Sequence, residues 1–403
     1  MSRFRVLIIG AYGQFGQHIA SALAQDPAFE LVLAGRNAAA ADAFAAALRD
    51  GGARASITTA RVDVGADSLV GDLERLRPHL VIHTAGPFQQ RDYRVAESAL
   101  ACGAHYVDLA DGREFVMGID RLASKAKARQ RWVVSGASSV PGLSAAVVEA
   151  LHGRFARLDA VESAISPGNR TARGLATTRA ILGYIGCPFP ALIDGRWQRV
   201  HGWQSLRRLH MAGARDRWVA RCDVPDLAVL PARYPTLHRC EFRAGLELRR
   251  MHFGLWLASW LVRARVVPGL AAWARPLLRA SEAWMDAGSD TGVMTVTLDG
   301  LGHDSAPLRL QWRIVAEDGS GPRIPATAAI VLARKLASGA LPGGDARPCL
   351  DVFSLDEFMC ALADYPIRAS LEVLPSGGSG QPRPRPEAGI ARAGRTSGND
   401  SAP

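Results

Sequence analysis

The sequence predicts an α/β fold, with an N-terminal Rossmann domain built on a doubly wound parallel sheet and a second, α+β domain behind it. Two observations support this. Over the first 138 residues, short apolar runs rich in β-branched residues alternate with longer helical patterns, which is typical of parallel strands joined by helices. The first apolar run also ends in a glycine triplet with the spacing of a dinucleotide-binding turn.

The elements of the first domain follow in order along the chain. The predicted strands are residues 5–9, 30–34, 56–62, 80–84, 106–108 and 132–135. The predicted helices between them are residues 14–24, 38–48, 67–76, 92–102 and 115–129. Because six strands and five helices complete a doubly wound dinucleotide domain, we assign it to residues 1–138.

The rest of the chain has a different amino-acid composition. Residues 139–374 are rich in arginine and tryptophan, and we expect a substrate domain whose C-terminal part can pack back on the first domain. Residues 375–403 have almost no apolar side chains and are predicted to be a disordered tail. Six scattered cysteines without a C-x-x-C pair predict a reduced, cytoplasmic protein without a metal site. The net charge of +10 comes with no nucleic-acid-binding signature, so no nucleic-acid partner is expected.

The turn after the first strand predicts a dinucleotide site. It consists of Gly10, Ala11, Tyr12, Gly13, Gln14, Phe15 and Gly16. In such a turn the first glycine allows a sharp bend, the second lets the backbone approach a pyrophosphate, and the third allows close packing of helix on strand. The pyrophosphate is then bound by the free amides at the start of the next helix. A plain glycine-rich turn is the alternative.

The end of the second strand bears on the choice of cofactor. Arg36, followed by Asn37, lies twenty residues after Gly16, where an acidic residue would bind the ribose 2′-hydroxyl of NAD and an arginine accommodates the 2′-phosphate of NADP. Guanidinium binds phosphate through two charge-assisted hydrogen bonds. The sequence therefore favours NADP, with a solvated surface arginine as the alternative.

Two further loops follow strands at the same edge of the sheet. Asp63 either contacts the adenine or begins a helix. The second loop contains Ala85, Gly86, Pro87 and Phe88. We expect it to run along the cofactor, with Phe88 beside the nicotinamide; an ordinary strand-to-helix loop is the alternative.

These motifs together resemble the saccharopine dehydrogenase-like family. The resemblance rests on the glycine triplet, the Gly86-Pro87-Phe88 turn and residues 105–109, and more loosely on residues 135–142 and 319–325. It implies a Rossmann domain that binds NADP and a second domain whose sheet is a candidate homodimer interface. It does not imply saccharopine as the substrate, because the group is functionally mixed and includes lipid-acting reductases.

The proton-transfer groups are predicted at the carboxyl edge of the sheet. The Tyr-x-x-x-Lys signature of short-chain dehydrogenases is absent. Asp108 ends a predicted strand, and Tyr106 shares its face, so these two are our catalytic candidates. The weaker candidates on the same edge are Asp111, His105 and Ser138. Asp108 as the cap of the next turn is the alternative.

The substrate side is expected in the second domain. Asn169, Arg170 and Arg173 form a polar, cationic loop suited to a carboxylate or phosphate. Residues 253–262 carry no charge and are followed by Arg263 and Arg265. This segment, 253–265, is predicted either to pack in the core of the substrate domain or to lie on a membrane surface with its arginines toward lipid headgroups.

The sequence thus predicts an NADP-dependent oxidoreductase that transfers hydride to or from a carbonyl, imine or enoyl carbon. The substrate is small or lipid-linked. A dinucleotide-binding sensor or a membrane-associated scaffold without turnover is the alternative.

Overall fold

The computed structural model describes residues 3–89, 92–210 and 216–375. All but the first residue of the predicted tail, 375–403, lies outside them. The first sheet contains β1 (Phe4–Ile9), β2 (Phe29–Gly35), β3 (Ser56–Arg61), β4 (Leu80–His83), β5 (His105–Asp108) and β6 (Trp132–Ser135). Its helices are α1 (Gln14–Leu23), α2 (Ala38–Asp50), α3 (Leu69–Leu76), α4 (Arg94–Ala101), α5 (Arg113–Met117) and α6 (Ala123–Arg129).

The predicted doubly wound sheet is confirmed. These strands are parallel and lie in the order β6-β5-β4-β1-β2-β3, so the order reverses between β1 and β4. In β1, Val6 and Ile8 pack into one core, and Leu7 and Ile9 into another on the opposite face. Burial on both faces explains why these strands are continuous apolar runs without alternation.

One predicted helix is interrupted. The chain over 115–129 forms α5, then a 3₁₀ turn at Gly118–Leu122, then α6. A Cβ at Gly118 would lie 2.7 Å from the Tyr93 hydroxyl oxygen, so the missing side chain lets Tyr93 approach the backbone where the helix tightens.

The rest of the chain builds a mixed sheet and its helices. The strands are β7 (Phe155–Ser166), β8 (Pro188–Ile193), β9 (Arg196–His201), β10 (Arg207–Leu209), β11 (Arg217–Arg221), β12 (Arg239–Ala244), β13 (Gly292–Gly302), β14 (Pro307–Ala316), β15 (Asp345–Pro348) and β16 (Ile367–Val373). The helices are α7 (Ser144–His152), α8 (Leu175–Tyr184), α9 (Asp226–Arg233), α10 (Arg249–Arg263), α11 (Ala274–Glu282), α12 (Arg323–Ala337) and α13 (Leu355–Cys360).

The second sheet has the order β10-β11-β12-β7-β13-β14-β16, with the β8–β9 hairpin branching from β12. Among the described strands that follow β6, only β15 joins the first sheet, where it pairs in parallel with β6, and α12 packs against α1. The C-terminal part of 139–374 therefore returns to the first domain. This arrangement places loops of the second domain over the carboxyl edge of the first sheet.

Candidate functional site

The glycine triplet forms a turn that side chains could not occupy. Gly10 has φ +85°, in the left-handed region, and a Cβ there would lie 2.6 Å from Thr84 Oγ1. A Cβ at Gly16 would lie 2.2 Å from the Gly10 carbonyl oxygen, so α1 packs directly on the turn. Thr84 fixes the bend, because its hydroxyl donates to the carbonyl oxygens of Ile9 and Gly10 at 3.0 and 3.1 Å.

The start of α1 suits a diphosphate. Gly13 is the N-cap residue in an extended conformation, and no side chain caps the helix. The first amides of α1 therefore have no side-chain acceptor, and the helix dipole favours an anion there. Ala11 is buried and Phe15 packs against the core, so both anchor the turn. These residues fit the nucleotide diphosphate that the sequence predicts.

Tyr12 covers the end of β2. A Cβ on Gly35 would lie 2.5 Å from its hydroxyl oxygen, and that oxygen accepts a hydrogen bond from the Asn37 amide at 3.0 Å. The Asn37 side chain in turn caps α2, accepting from the Ala40 amide at 3.2 Å. Arg36 lies between Gly35 and Asn37, and its side chain is exposed. Its guanidinium makes no hydrogen bond or ion pair with the described part of the chain. It is free to bind a phosphate at this edge.

Asp63 and the 85–88 loop border the same edge of the sheet. The Asp63 carboxylate accepts from the Gly65 amide at 3.0 Å, and the next helix begins only at Leu69, so Asp63 does not begin a helix and its contact with adenine stays a prediction. A cavity of about 360 Å³ lies between the loops after β3 and β4. Its walls include Val64, Gly65, His83, Ala85, Pro87, Phe88, Tyr106 and Phe115.

Phe88 and Tyr106 are buried in the aromatic wall of this cavity. The Phe88 ring lies 4.9 Å from the His83 ring and 5.5 Å from the Phe115 ring, measured between centroids. The Tyr106 hydroxyl lies 3.1 Å from His83 Nδ1. Phe88 is thus held in an aromatic cluster on the cavity wall, and its position beside the nicotinamide stays a prediction.

Asp108 is enclosed by its own domain. Its side chain is 0% exposed, and Oδ1 accepts hydrogen bonds of 2.9 Å from the amides of Ala110 and Gly136 and from the Ser135 hydroxyl. Burial raises the pKa of Asp108 to about 6, opposed by these donors. Three donors on one oxygen favour the alternative in which Asp108 fixes the loops after β5 and β6; its catalytic role stays a prediction.

Two side chains of the predicted substrate loop form hydrogen bonds within the protein. Asn169 is 4% exposed, and its amide nitrogen donates to the Trp284 carbonyl at 2.6 Å. Arg173 donates to the Asn169 carbonyl at 2.7 Å and to the Ser281 hydroxyl at 2.8 Å. Of the three predicted residues, only Arg170 is exposed. Packing thus explains Asn169 and Arg173 as residues that shape the loop, and their role in substrate binding stays a prediction.

The same loop nevertheless reaches the cofactor turn. Gln14 Nε2 donates to the Ala172 carbonyl at 2.6 Å, across 158 positions of sequence. A Cβ on Gly174 would lie 2.9 Å from Gln14 Oε1. The second domain therefore closes directly over the start of α1.

A polar cluster between the two domains was not predicted from the sequence. Gln89 Nε2 lies 3.0 Å from both Asp111 Oδ1 and Tyr184 Oη. Burial raises the pKa of Asp111 and that of Tyr184, and the nearby Asp111 carboxylate raises the pKa of Tyr184 further. Asp111 was a weak candidate because of its position at the edge. Gln89 and Tyr184 carry no local signal, since their contact spans 95 positions.

An ion pair lies beside this cluster. Arg113, at the start of α5, pairs with Asp223, which follows β11, and donates to the Pro190 carbonyl at 2.8 Å. Burial raises the pKa of Asp223, and Arg113 opposes that rise. These contacts tie the carboxyl edge of the first sheet to the second domain. A phenol, a carboxylate and an amide thus lie together at the contact between the two domains.

Comparison with known proteins supports a dinucleotide-binding role for the turn at residues 10–16. Residues 6–138 match the family described as the saccharopine dehydrogenase NADP binding domain. These residues are thus similar to a saccharopine dehydrogenase NADP binding domain, as the motifs predicted, and the match supports NADP as the cofactor and an oxidoreductase as the class of protein. None of the curated proteins compared with the sequence matches it.

Solved structures extend the likeness over the second domain. The chain is similar to saccharopine dehydrogenase (L-Glu forming) from Saccharomyces cerevisiae, with a TM-score of 0.65 and 14% identity over 92% of this chain and 99% of that chain. It also matches amine dehydrogenase from Mycobacterium smegmatis, with a TM-score of 0.47 and 12% identity over 88% and 96% of the two chains. The first match shows that the two proteins share a fold. The second match is too distant to support a conclusion.

Proposed function

We propose that the chain is an NADP-preferring oxidoreductase that transfers hydride to or from a carbonyl, imine or enoyl carbon. The observation that carries the proposal is the side-chain-free turn at Gly10–Gly16, which leads into an α1 terminus without a capping side chain. The bound nicotinamide supplies or accepts the hydride. The protein residues bind the diphosphate, orient the dinucleotide across the sheet edge and exclude water beneath the second domain.

Arg36 tests the preference for NADP. A 2′-phosphate gains charge-assisted hydrogen bonds from a guanidinium, whereas an aspartate repels it and accepts from a 2′-hydroxyl. We expect Arg36→Asp to weaken NADPH binding roughly 10- to 100-fold and to improve NADH binding, measured by isothermal titration calorimetry.

Arg54→Asp is the matched control. Arg54 is also exposed, but it precedes β3 and so lies at the opposite edge of the sheet. The control makes the same change of charge and should leave both affinities within about twofold. Equal discrimination in the wild type and Arg36→Asp would refute the assignment of Arg36.

Turnover separates the enzyme from a sensor or scaffold. Both bind NADPH, but only the enzyme oxidises it when cellular metabolite or lipid extracts are added, followed at 340 nm. NADPH binding without oxidation by any extract fraction would favour the non-catalytic alternative.

A second candidate function, association with a membrane and a lipid-linked substrate, is favoured by α10. Leu257 is 59% exposed, and Trp260 and Leu261 are each 44% exposed. Trp256 on the same helix packs against a core cluster, which supports the core alternative for part of the 253–265 segment, whereas the exposed side chains support the membrane alternative. Arg263 stacks on the Trp260 ring at 5.1 Å, which places a cation beside the exposed apolar side chains. Within the described residues, no helix combines the length and apolarity needed to span a bilayer.

Vesicle sedimentation tests this surface. We expect binding to phosphatidylcholine vesicles that contain phosphatidylglycerol, weaker binding to phosphatidylcholine alone, and loss of binding in Trp260→Asp. Trp197→Asp is the control, because Trp197 is 55% exposed on the β8–β9 hairpin. Equal sedimentation of Trp260→Asp and the wild type would contradict the proposal.

We also propose a cytoplasmic homodimer. All six cysteines carry free thiols, which suits a reducing compartment. Sedimentation equilibrium measures the dimer directly, and a monomer at all concentrations would exclude it.

A further inference from the structure

The inter-domain cluster of Gln89, Asp111 and Tyr184 has a defined direction of hydrogen bonding. A carboxylate only accepts, so the Gln89 amide must direct its NH₂ group toward Asp111. The second hydrogen of the same NH₂ group then points to the Tyr184 oxygen, which accepts it. Asp111 therefore fixes the orientation of Gln89, and Gln89 leaves the phenol proton of Tyr184 unused in this contact.

The electrostatics keep that proton on Tyr184. Burial raises the pKa of Tyr184, and the negative charges of Asp111 and Asp223 raise it further, whereas the bond from Gln89 lowers it. The phenol is accordingly neutral over the physiological range, and Gln89 is placed to stabilise the oxyanion when the proton leaves. A buried phenol with a donor already aimed at its oxygen is suited to act as an acid.

The cluster lies on the half of the sheet that the nicotinamide should occupy. A doubly wound domain binds its dinucleotide across the point where strand order reverses, here between β1 and β4. Arg36, at the end of β2, marks the adenosine half. Gln89 follows β4 and Asp111 follows β5, so both belong to the other half, and Tyr184 covers them from the second domain.

We propose that Tyr184 is the proton donor in reduction of a carbonyl substrate held between the two domains, with Gln89 and Asp111 as positioning residues. The proposal rests on the proposed function. Hydride leaves C4 of NADPH and forms the new C–H bond, the carbonyl π pair moves to oxygen, and that oxygen takes the Tyr184 proton. The products are an alcohol, NADP⁺ and a tyrosinate, which solvent reprotonates. Unlike Asp108, Tyr184 carries a transferable proton at neutral pH.

The decisive experiment is the crystal structure of the full chain with NADPH. Hydride transfer needs reacting atoms about 3–3.5 Å apart and proton transfer a contact of about 3 Å, so nicotinamide C4 should lie within about 7 Å of Tyr184 Oη. A nicotinamide bound well beyond that distance would overturn the assignment of Tyr184 while NADPH binding still upheld the cofactor. Failure to bind NADPH at all would overturn both.

Kinetics provide the second readout. With the extract fraction that supports wild-type NADPH oxidation, Tyr184→Phe should lower kcat about 10²- to 10⁴-fold and leave the Kd for NADPH unchanged. Tyr234→Phe is the control, because the Tyr234 hydroxyl donates to Glu149 at 2.6 Å, in a contact that involves none of the cluster. Equal loss in both variants, or no loss in Tyr184→Phe, would refute the proposal.

Asp111→Asn tests the positioning role. The Asp111 charge raises the pKa of Tyr184, so its removal should shift the alkaline limb of the pH–rate profile to lower pH as well as lower kcat. A purely structural residue would change kcat without moving that limb, and an unmoved limb would therefore exclude Asp111 as a positioning residue.

Discussion

The region around Asp108 and the region around Asp111 occupy the same edge of the same sheet, yet they are built differently. Burial raises the pKa of both carboxyl groups. Asp108 accepts from Ala110, Ser135 and Gly136, all within the first domain. Asp111 accepts from a side chain, Gln89, that also reaches the second domain.

This difference shows that burial and edge position alone do not identify a reactive acid. A carboxylate surrounded by fixed donors of its own fold holds loops together. A carboxylate that orients a side chain at the contact between two domains can influence chemistry there. The partners of each acid, and the domain from which they come, distinguish the two roles.

Replacing Asp108 should produce the largest loss of stability. Asp108→Ala leaves two amides and one hydroxyl without an acceptor in a fully buried position, at a cost of about 4 kcal/mol of unfolding free energy. Urea denaturation measures it. Asp111→Ala is the comparison and should cost about 1 kcal/mol, because Gln89 is the one side chain of the described residues that donates to it. Equal losses would remove the distinction between the two regions.

The second largest effect should be the dependence of stability on pH that Asp108 causes. The folded state raises the pKa of Asp108 from 3.8 to about 6, so the folded protein holds this proton more tightly than the unfolded chain. The resulting stabilisation is complete below about pH 4 and is lost as pH rises through about 6, with a maximum near 3 kcal/mol. Relative to Asp108→Asn, which cannot ionise, the wild type should therefore lose stability between pH 4 and 6. Parallel curves for the two proteins would contradict the raised pKa.

The sequence predicted the first domain well because its information is local. Buried strands of a parallel sheet are continuous apolar runs, so β6 was predicted with its observed bounds and β1 within one residue. The cofactor turn is likewise a local pattern of glycines. The predicted helix over 115–129 failed at Gly118, where the close approach of Tyr93 is a tertiary contact that helical periodicity cannot show.

The candidate site was only partly predictable, because its other wall comes from distant sequence. Tyr184 meets Gln89 across 95 positions, and Ala172 meets Gln14 across 158. The sequence also did not show that Arg173 donates a hydrogen bond to Asn169. Polarity in a loop indicates that hydrogen bonds form but does not identify their partners.

The smallest effect should come from replacing Gln89, which links Asp111 to Tyr184. Gln89→Met keeps the length and volume of the side chain but removes the hydrogen bonds to Asp111 and Tyr184. Because both partners are only half-buried, water can replace the lost bonds, and we expect a loss of about 1 kcal/mol of unfolding free energy, measured by urea denaturation. Gln198→Met is the control, since Gln198 Nε2 donates to the Ile193 carbonyl in the β8–β9 hairpin, in a contact that involves none of the cluster. If Gln89→Met were as damaging as Asp108→Ala, Gln89 would be a structural support of the first domain, and the proposed difference between the two regions would be wrong.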